Sequence, residues 1–182
     1  RKQRYQTQLG LPEYDAGIIT GQKALVDFFE ETVALGAPAK EAANWMLGDM
    51  MRRLKEEELE PKDMRLTPAT LVKLIGMVQA GRINRNTASK VFRGIFAEDL
   101  DPEEWVTVHG LEQIRDERVI AGAVARVLEE HPQSAADYRA GKEKALGFLM
   151  GRVMKELKGK ADPGAVNALL KSRLETGGSE GG

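Results

Sequence analysis

The sequence predicts an all-α protein: a larger helical domain followed by a small tail of three or four helices. Three observations predict it. Strong helix formers (Ala, Leu, Glu, Lys, Arg and Met) dominate, while aromatic residues make up only 5% and Val, Ile and Thr rarely run together. Apolar residues recur at helical spacing from end to end. No segment alternates apolar and polar residues between hairpin turns, as strands do. With 42% hydrophobic and 30% charged residues in 182, the chain has material for a core and for a solvated surface.

The elements follow in order. After "LPEYDAGIIT", Thr20 is suited to cap a helix carrying Leu25, Val26, Phe28, Phe29 and Val33, with Gly36 as its stop. Pro38 suits the first turn of a second helix, which carries Ala42, Trp45, Met46, Met50 and Leu54 and closes in the run from Lys55 to Pro61. Thr67 and Pro68 open a third, with Leu71, Leu74, Ile75 and Val78 on one side and Gly81 as the break. Asn84 or Asn86 starts a fourth, through Ala88, Val91, Phe92, Ile95 and Phe96. "EDLDPEEW" reads as a polar connection with a short helical turn at most. Around "VHGLEQIRDE" the pattern resets, which places a domain boundary between residues 117 and 118. Beyond it, Val119, Ile120, Val124, Val127 and Leu128 form a helix ending at His131 and Pro132, and a short helix holds Tyr138. Two further helices span "GKEKALGFLMGRVMKELKG" and "ADPGAVNALL", the last capped by Asp162 with Pro163 at its first position. The tail domain is expected over 118–176, and a disordered glycine-rich end over 177–182.

Several function classes are excluded. Without cysteine there is no disulfide or thiol chemistry, a composition that permits an intracellular setting. No apolar run approaches the ~18 residues of a membrane span, and a signal peptide is not expected from this stretch. The start at Arg1, without methionine, reads as part of something longer. His109 and His131 are far apart, and each is suited to a solvent or capping role at a helix edge. Ser89, Ser134, Ser172 and Ser179 lack the context that exposes a nucleophile, and no phosphate loop of the GxxxxGK[ST] type occurs. No catalytic residue and no metal ligand set is identified. The chain alone is expected neither to hydrolyse glutamine nor to consume ATP.

Charge is unevenly placed. Up to Glu117 there are 16 Lys and Arg against 20 Asp and Glu; from Arg118 onward there are 11 against 8. A basic tail behind an acidic body points to a polyanionic partner or to an ordinary solvated face. Within the tail, Gly147 and Gly151 interrupt a helix, each at about 1 kcal/mol relative to alanine. On a wheel of about 100° per residue, Leu146, Leu149, Met150, Val153 and Leu157 gather on one side. Lys144, Gly147, Phe148, Gly151, Lys155 and Lys158 fall on the other. Two explanations fit a bare backbone strip among lysines: phosphate contact, with Phe148 against a sugar or an unstacked base, or close packing of a neighbouring helix.

"DYRAGKEKALGFLMGRVMKELKGKADPGAVNALL" resembles the C-terminal signature of the GatB family, the B subunits of aspartyl/glutamyl-tRNA amidotransferases, in the region shared with YqeY proteins. "LPEYDAGIIT", "AANWMLGDMMRRL" and "GRINRNTASKVF" resemble that family's helical domain in the same order. The likeness runs from about Tyr5 to Leu174, with one departure at Asn84, where a smaller residue is expected. It implies a cytoplasmic, tRNA-binding part of a B subunit that positions misacylated Glu-tRNA(Gln) or Asp-tRNA(Asn) for transamidation. Through the full-length subunit the partners would be the amidotransferase A and C subunits. ATP and magnesium would serve an absent cradle domain, leaving this chain without a cofactor. On the tRNA reading, and from residue chemistry, Lys142, Lys144, Arg152, Lys155, Lys158 and Lys160 would contact phosphates, Gly147 and Gly151 would allow close approach, and Phe148 would lie against a sugar or base. Arg82, Arg85, Lys90 and Arg93 form a second, weaker basic patch. The segment from Tyr5 to Tyr14 is expected to secure the joint to the cradle. The rival reading is a YqeY-like helical module that docks on protein without touching RNA.

Overall fold

Helix-start and helix-stop chemistry divides the chain at most of the expected places. The computed structural model describes residues 1–177. Of the expected glycine-rich end, Gly177 caps the last helix, and the remainder lies outside the described residues. Among the described residues every regular element is helical, so the all-α class holds. The chain forms two compact units, one over Arg1–Leu111 and one beginning at Glu112.

The first unit contains α1 (Lys2–Thr7), α2 (Glu13–Thr20), α3 (Lys23–Ala34), α4 (Ala39–Trp45), α5 (Met51–Glu56), α6 (Pro68–Gln79), α7 (Arg85–Ile95) and α8 (Pro102–Val108). A π-helical turn, Met46–Met50, joins α4 to α5, with the backbone right-handed helical at both junctions. Such a turn inserts an extra residue into the helix, and here it sets both Asp49 and Met50 on the buried side. Trp45, Met46, Met50 and Leu54 all lie in the core, with Tyr5, Phe29, Leu71, Leu74, Phe92 and Phe96. Thr67 caps α6 by accepting from the Thr70 N–H, and Asn84 caps α7 by accepting from the Thr87 N–H at 2.8 Å. Each such cap is worth about 1 kcal/mol. The departure at Asn84 therefore leaves the helix start intact.

Three expectations in this unit are corrected, and one further segment is helical. Thr20 does not cap α3: it ends α2, where its hydroxyl donates to the Ala16 carbonyl at 2.7 Å, and Gln22 takes the capping position. Pro38 is the residue before α4, not in its first turn. "LPEYDAGIIT" is itself mostly helical. "EDLDPEEW" holds the start of α8, capped by Asp101 accepting from the Glu103 N–H at 3.0 Å. The reason for α8 is tertiary. Val106 is buried and Trp105 packs on the first core, lying so close over Gly94 of α7 that a Cβ there would enter the indole's contact distance.

The second unit contains α9 (Glu117–Glu130), α10 (Pro132–Arg139), α11 (Lys144–Glu156) and α12 (Pro163–Thr176). It begins earlier than expected because Ile114 packs on the second core and donates its N–H to the Lys160 carbonyl at 2.9 Å. Ile120, Val124, Val127, Leu149, Val153, Leu157, Val166, Leu170 and Leu174 fill that core. Asp162 caps α12 by accepting from the Ala165 N–H at 2.9 Å, with Pro163 at the first position.

Tyr5, expected at a joint, is a core residue: fully buried, with its ring 4.9 Å from Phe29 and its hydroxyl donating to Glu30 Oε1 at 2.8 Å. Burial first, and the Glu30 carboxylate second, push its phenol up to about 12. A raised phenol favours the neutral form in the fold. The stability it contributes is therefore complete below an unfolded value of ~10 and is lost between ~10 and about 12. The difference in alkaline absorbance between the parent chain and Tyr5→Phe separates this phenol from Tyr14 and Tyr138; it should ionise well above ~10, and a midpoint near ~10 with the helix signal intact would contradict this.

Gly94→Ala should destabilise the first unit by about 1–2 kcal/mol, the overpacking cost exceeding the gain in helix propensity. Both tryptophans lie in that unit, so urea unfolding followed by tryptophan fluorescence reads it alone. A variant as stable as the parent would mean that the indole can move aside freely.

Candidate nucleic-acid interface

The geometry of α11 is set by its buried side. Leu149 and Val153 are fully buried, and Leu146, Met150 and Met154 pack partly against the same core. The opposite side is open. Lys144, Gly147, Phe148, Gly151, Arg152 and Lys155 are all exposed. An added Cβ at Gly147 or Gly151 would meet nothing within 4 Å, so no neighbouring helix of the unit uses that strip. The close-packing explanation therefore does not hold within the tail itself.

Three of the expected residues do not belong to this helical face. Lys142 precedes α11 in a turn, its N–H donating to the Asp137 carbonyl at 3.0 Å and its Nζ lying 3.6 Å from the Asp137 carboxylate. Lys158 follows the helix with a left-handed backbone (φ 56°), and Gly159 continues the turn (φ 70°). Its expected place on the wheel is corrected: α11 closes at Glu156, where the Gly159 N–H reaches back to the Met154 carbonyl at 2.8 Å. Lys160 is half-buried beyond that turn. The face proper consists of Lys144, Phe148, Arg152 and Lys155 beside the two glycines, with the other lysines at its ends.

Electrostatically this face is unopposed. Glu156, the acid closest in sequence to Lys155, pairs with Arg126 of α9. Among the described residues Lys144, Arg152, Lys155 and Lys158 have no carboxylate within pairing distance. Phe148 is 48% exposed despite its size. Its ring meets the His131 imidazole edge-on, with centroids 5.1 Å apart and an interplanar angle of 89°. His131 thus does more than end α9. Nothing in the sequence spacing signals this partnership, because seventeen residues and a whole helix separate the two rings.

The second basic patch is largely committed elsewhere. Arg82 pairs with Glu103 at 3.0 Å. Arg85 donates to Asp49 at 3.1 Å and to Ser89 at 2.9 Å, and its guanidinium sits 3.4 Å over the Trp45 ring. Lys90 and Arg93 are exposed on α7. His109 stacks on Trp105, with centroids 3.6 Å apart, and its Nδ1 lies 2.8 Å from the Trp105 carbonyl oxygen. No group of three metal-ligating side chains comes together, and no helix is long and apolar enough to cross a membrane, among the described residues.

The model of the GatB domain matches residues 27–174, most of the chain and both of its units. The chain belongs to the GatB domain family. Its relatives include proteins named as the B subunit of aspartyl/glutamyl-tRNA(Asn/Gln) amidotransferase. That of Bacillus cytotoxicus is 46% identical over 174 residues, covering 96% of this chain and 37% of the relative. The one from Lachnoclostridium phytofermentans is 44% identical over 171 residues, covering 94% and 36%. The one from Shouchella clausii is 45% identical over 175 residues, covering 96% and 37%. The chain thus spans little more than a third of the length of these curated relatives. Within the GatB domain, the exposed α11 face combines unpaired cations, bare backbone and one aromatic ring.

Because neither glycine supports a contact inside the tail, Gly147→Ala and Gly151→Ala should each stabilise the second unit, by up to about 1 kcal/mol. Urea unfolding followed by helical circular dichroism measures it. A loss of stability in either variant would show that the bare strip is packed against something after all.

Proposed function

We propose that this chain is the tRNA-binding C-terminal part of an amidotransferase B subunit. In that role it holds misacylated Glu-tRNA(Gln) or Asp-tRNA(Asn) so that catalytic domains outside it can transamidate the aminoacyl end. The observation that carries the proposal is the α11 face, where Lys144, Arg152 and Lys155 stand exposed without an acidic partner among the described residues. Cations left unpaired beside an open backbone strip suit a phosphate chain, whose condensed counterions they replace. The names of the relatives, which specify tRNA and the B subunit, support the same reading. In this division of labour ATP and magnesium act in the catalytic domains. The A and C subunits join through the full-length protein, and the complex works in the cytoplasm. Lys142, Lys158 and Lys160 extend the contact at either end of α11.

A second reading, a helical docking module without RNA contact, is favoured by one feature of the tail. Between α9 and α12 an open, mostly apolar groove of about 460 Å³ is lined by Ile120, Ala121, Ala165, Ala168 and Leu169, with Glu117 and Ser172 also lining it. The small side chains leave room for a partner helix there. The two readings differ in salt dependence, because an apolar groove gives a shallow slope and phosphate contacts a steep one.

Lysine is a compact charge suited to phosphates and not to bidentate reading of a base. Lys144→Ala and Lys155→Ala should each weaken matched and mismatched tRNAs by similar factors, and each should flatten the salt slope by about one unit. Fluorescence anisotropy across a salt series measures both. Loss of the matched tRNA alone, at an unchanged slope, would mean that these lysines read identity; no tRNA binding by the parent chain would leave the docking module.

A further inference from the structure

Among the described residues Phe148 is the one large apolar side chain exposed on the α11 face, and its surroundings are cationic. Lys144, Phe148 and Arg152 follow one another at four-residue steps, about 6 Å apart along the axis, and Lys155 completes the stripe. An aromatic ring in that position adds nothing to the tail's own core, which is filled by Leu149 and Val153. Nor is the ring left to swing freely. The imidazole of His131 meets it edge-on at 5.1 Å and 89°, an arrangement favoured by the ring quadrupoles. The backbone of His131 is held on both sides, its N–H donating to the Val127 carbonyl at 3.0 Å and its carbonyl accepting from the Ala135 N–H at 3.2 Å. Its imidazole is packed with Nε2 buried and without a hydrogen-bond partner among the described residues. One edge of Phe148 is therefore braced, while 48% of the residue remains open.

We infer that Phe148 is a stacking platform for an unpaired nucleotide of the bound RNA, held in orientation by His131. The inference rests on the proposed reading of the α11 face and specifies which part of an RNA that face takes. In a duplex the base faces are hidden within the stack, and the phosphates and 2′-hydroxyls are what a helix meets. Only single-stranded loops, bulges and overhanging ends can splay a base out so that a side chain stacks on it. A strip of cations suits either kind of RNA. A braced, open aromatic ring between two cations suits the second alone, because phosphates held by Lys144 and Arg152 place the intervening base against the ring. An acidic protein segment would satisfy the lysines and the arginine, but it gives no reason for an immobilised aromatic ring at the centre.

The test uses the whole 182-residue chain with two probes of equal phosphate number: an RNA hairpin with a single-stranded loop, and a blunt RNA duplex. Phe148→Leu keeps an apolar, helix-compatible side chain but removes the ring, and circular dichroism checks that the tail remains folded. It should lose about tenfold in affinity for the hairpin and change little for the duplex. Phe148→Trp should restore hairpin affinity. Its added fluorescence, taken as the difference from the parent, should be quenched by the hairpin and not by the duplex. Equal losses on both probes, or no loss on either, overturn the stacking role. If Lys144→Ala weakens the hairpin while Phe148→Leu does not, the cationic face stands and the platform falls. If the parent binds neither probe, the RNA reading fails and the platform with it. Displacement of the hairpin by polyglutamate at matched charge as readily as by RNA would place an acidic protein on this face and reject the nucleotide.

Discussion

Burial of Leu149 and Val153 is the constraint on which the candidate interface depends. Both are fully buried among side chains of α9 and α12. A helix turning about 100° per residue has no further rotational freedom once two positions on one side are fixed. Lys144, Phe148, Arg152 and Lys155 are then presented outward together, with Gly147 and Gly151 alongside. No separate device orients the cations. The rigidity of the face is that of the core behind it, which is what a surface reading the shape of a folded RNA requires.

Glycine takes opposite roles in the two units, and the difference lies in what stands opposite each one. Over Gly94 the Trp105 indole approaches too closely for any side chain, so the residue exists for packing, and α8 is held down through it. Around Gly147 and Gly151 the space is empty. The basic residues divide in the same way. Arg85 serves the first unit's interior, bridging Asp49 and Ser89 and covering Trp45. Trp45 in turn lies against Phe92, with ring centroids 5.5 Å apart. The π turn that buries Asp49 makes this bridge between α5's entry and α7 available. A cation so engaged has its charge already met by a carboxylate, whereas those on α11 do not.

Periodicity, caps and composition made the all-α class and most helices legible: Thr67, Asn84 and Asp162 each cap where the residue type suggests. These signals are local, and a local signal survives folding when the core agrees with it. Where it failed, a distant contact took over. Thr20 has a cap's chemistry but spends its hydroxyl on the Ala16 carbonyl. The polar segment before Trp105 became helical because its tryptophan found Gly94. The unit boundary moved because Ile114 joined the second core.

By itself, then, the sequence determined most of the helices and the separation of α11 into an apolar side and a basic, glycine-bearing side. Each follows from residue type and from the fixed turn of a helix, which need no knowledge of neighbours. Tertiary structure alone decided which cations remain unpaired, which glycine is packed and which is bare, and that His131 meets Phe148. Those outcomes depend on distances between residues remote in the chain, such as Arg126 to Glu156, Arg85 to Asp49 and His131 to Phe148. A charge or a ring becomes free or engaged only when the packing of other side chains has fixed what lies beside it.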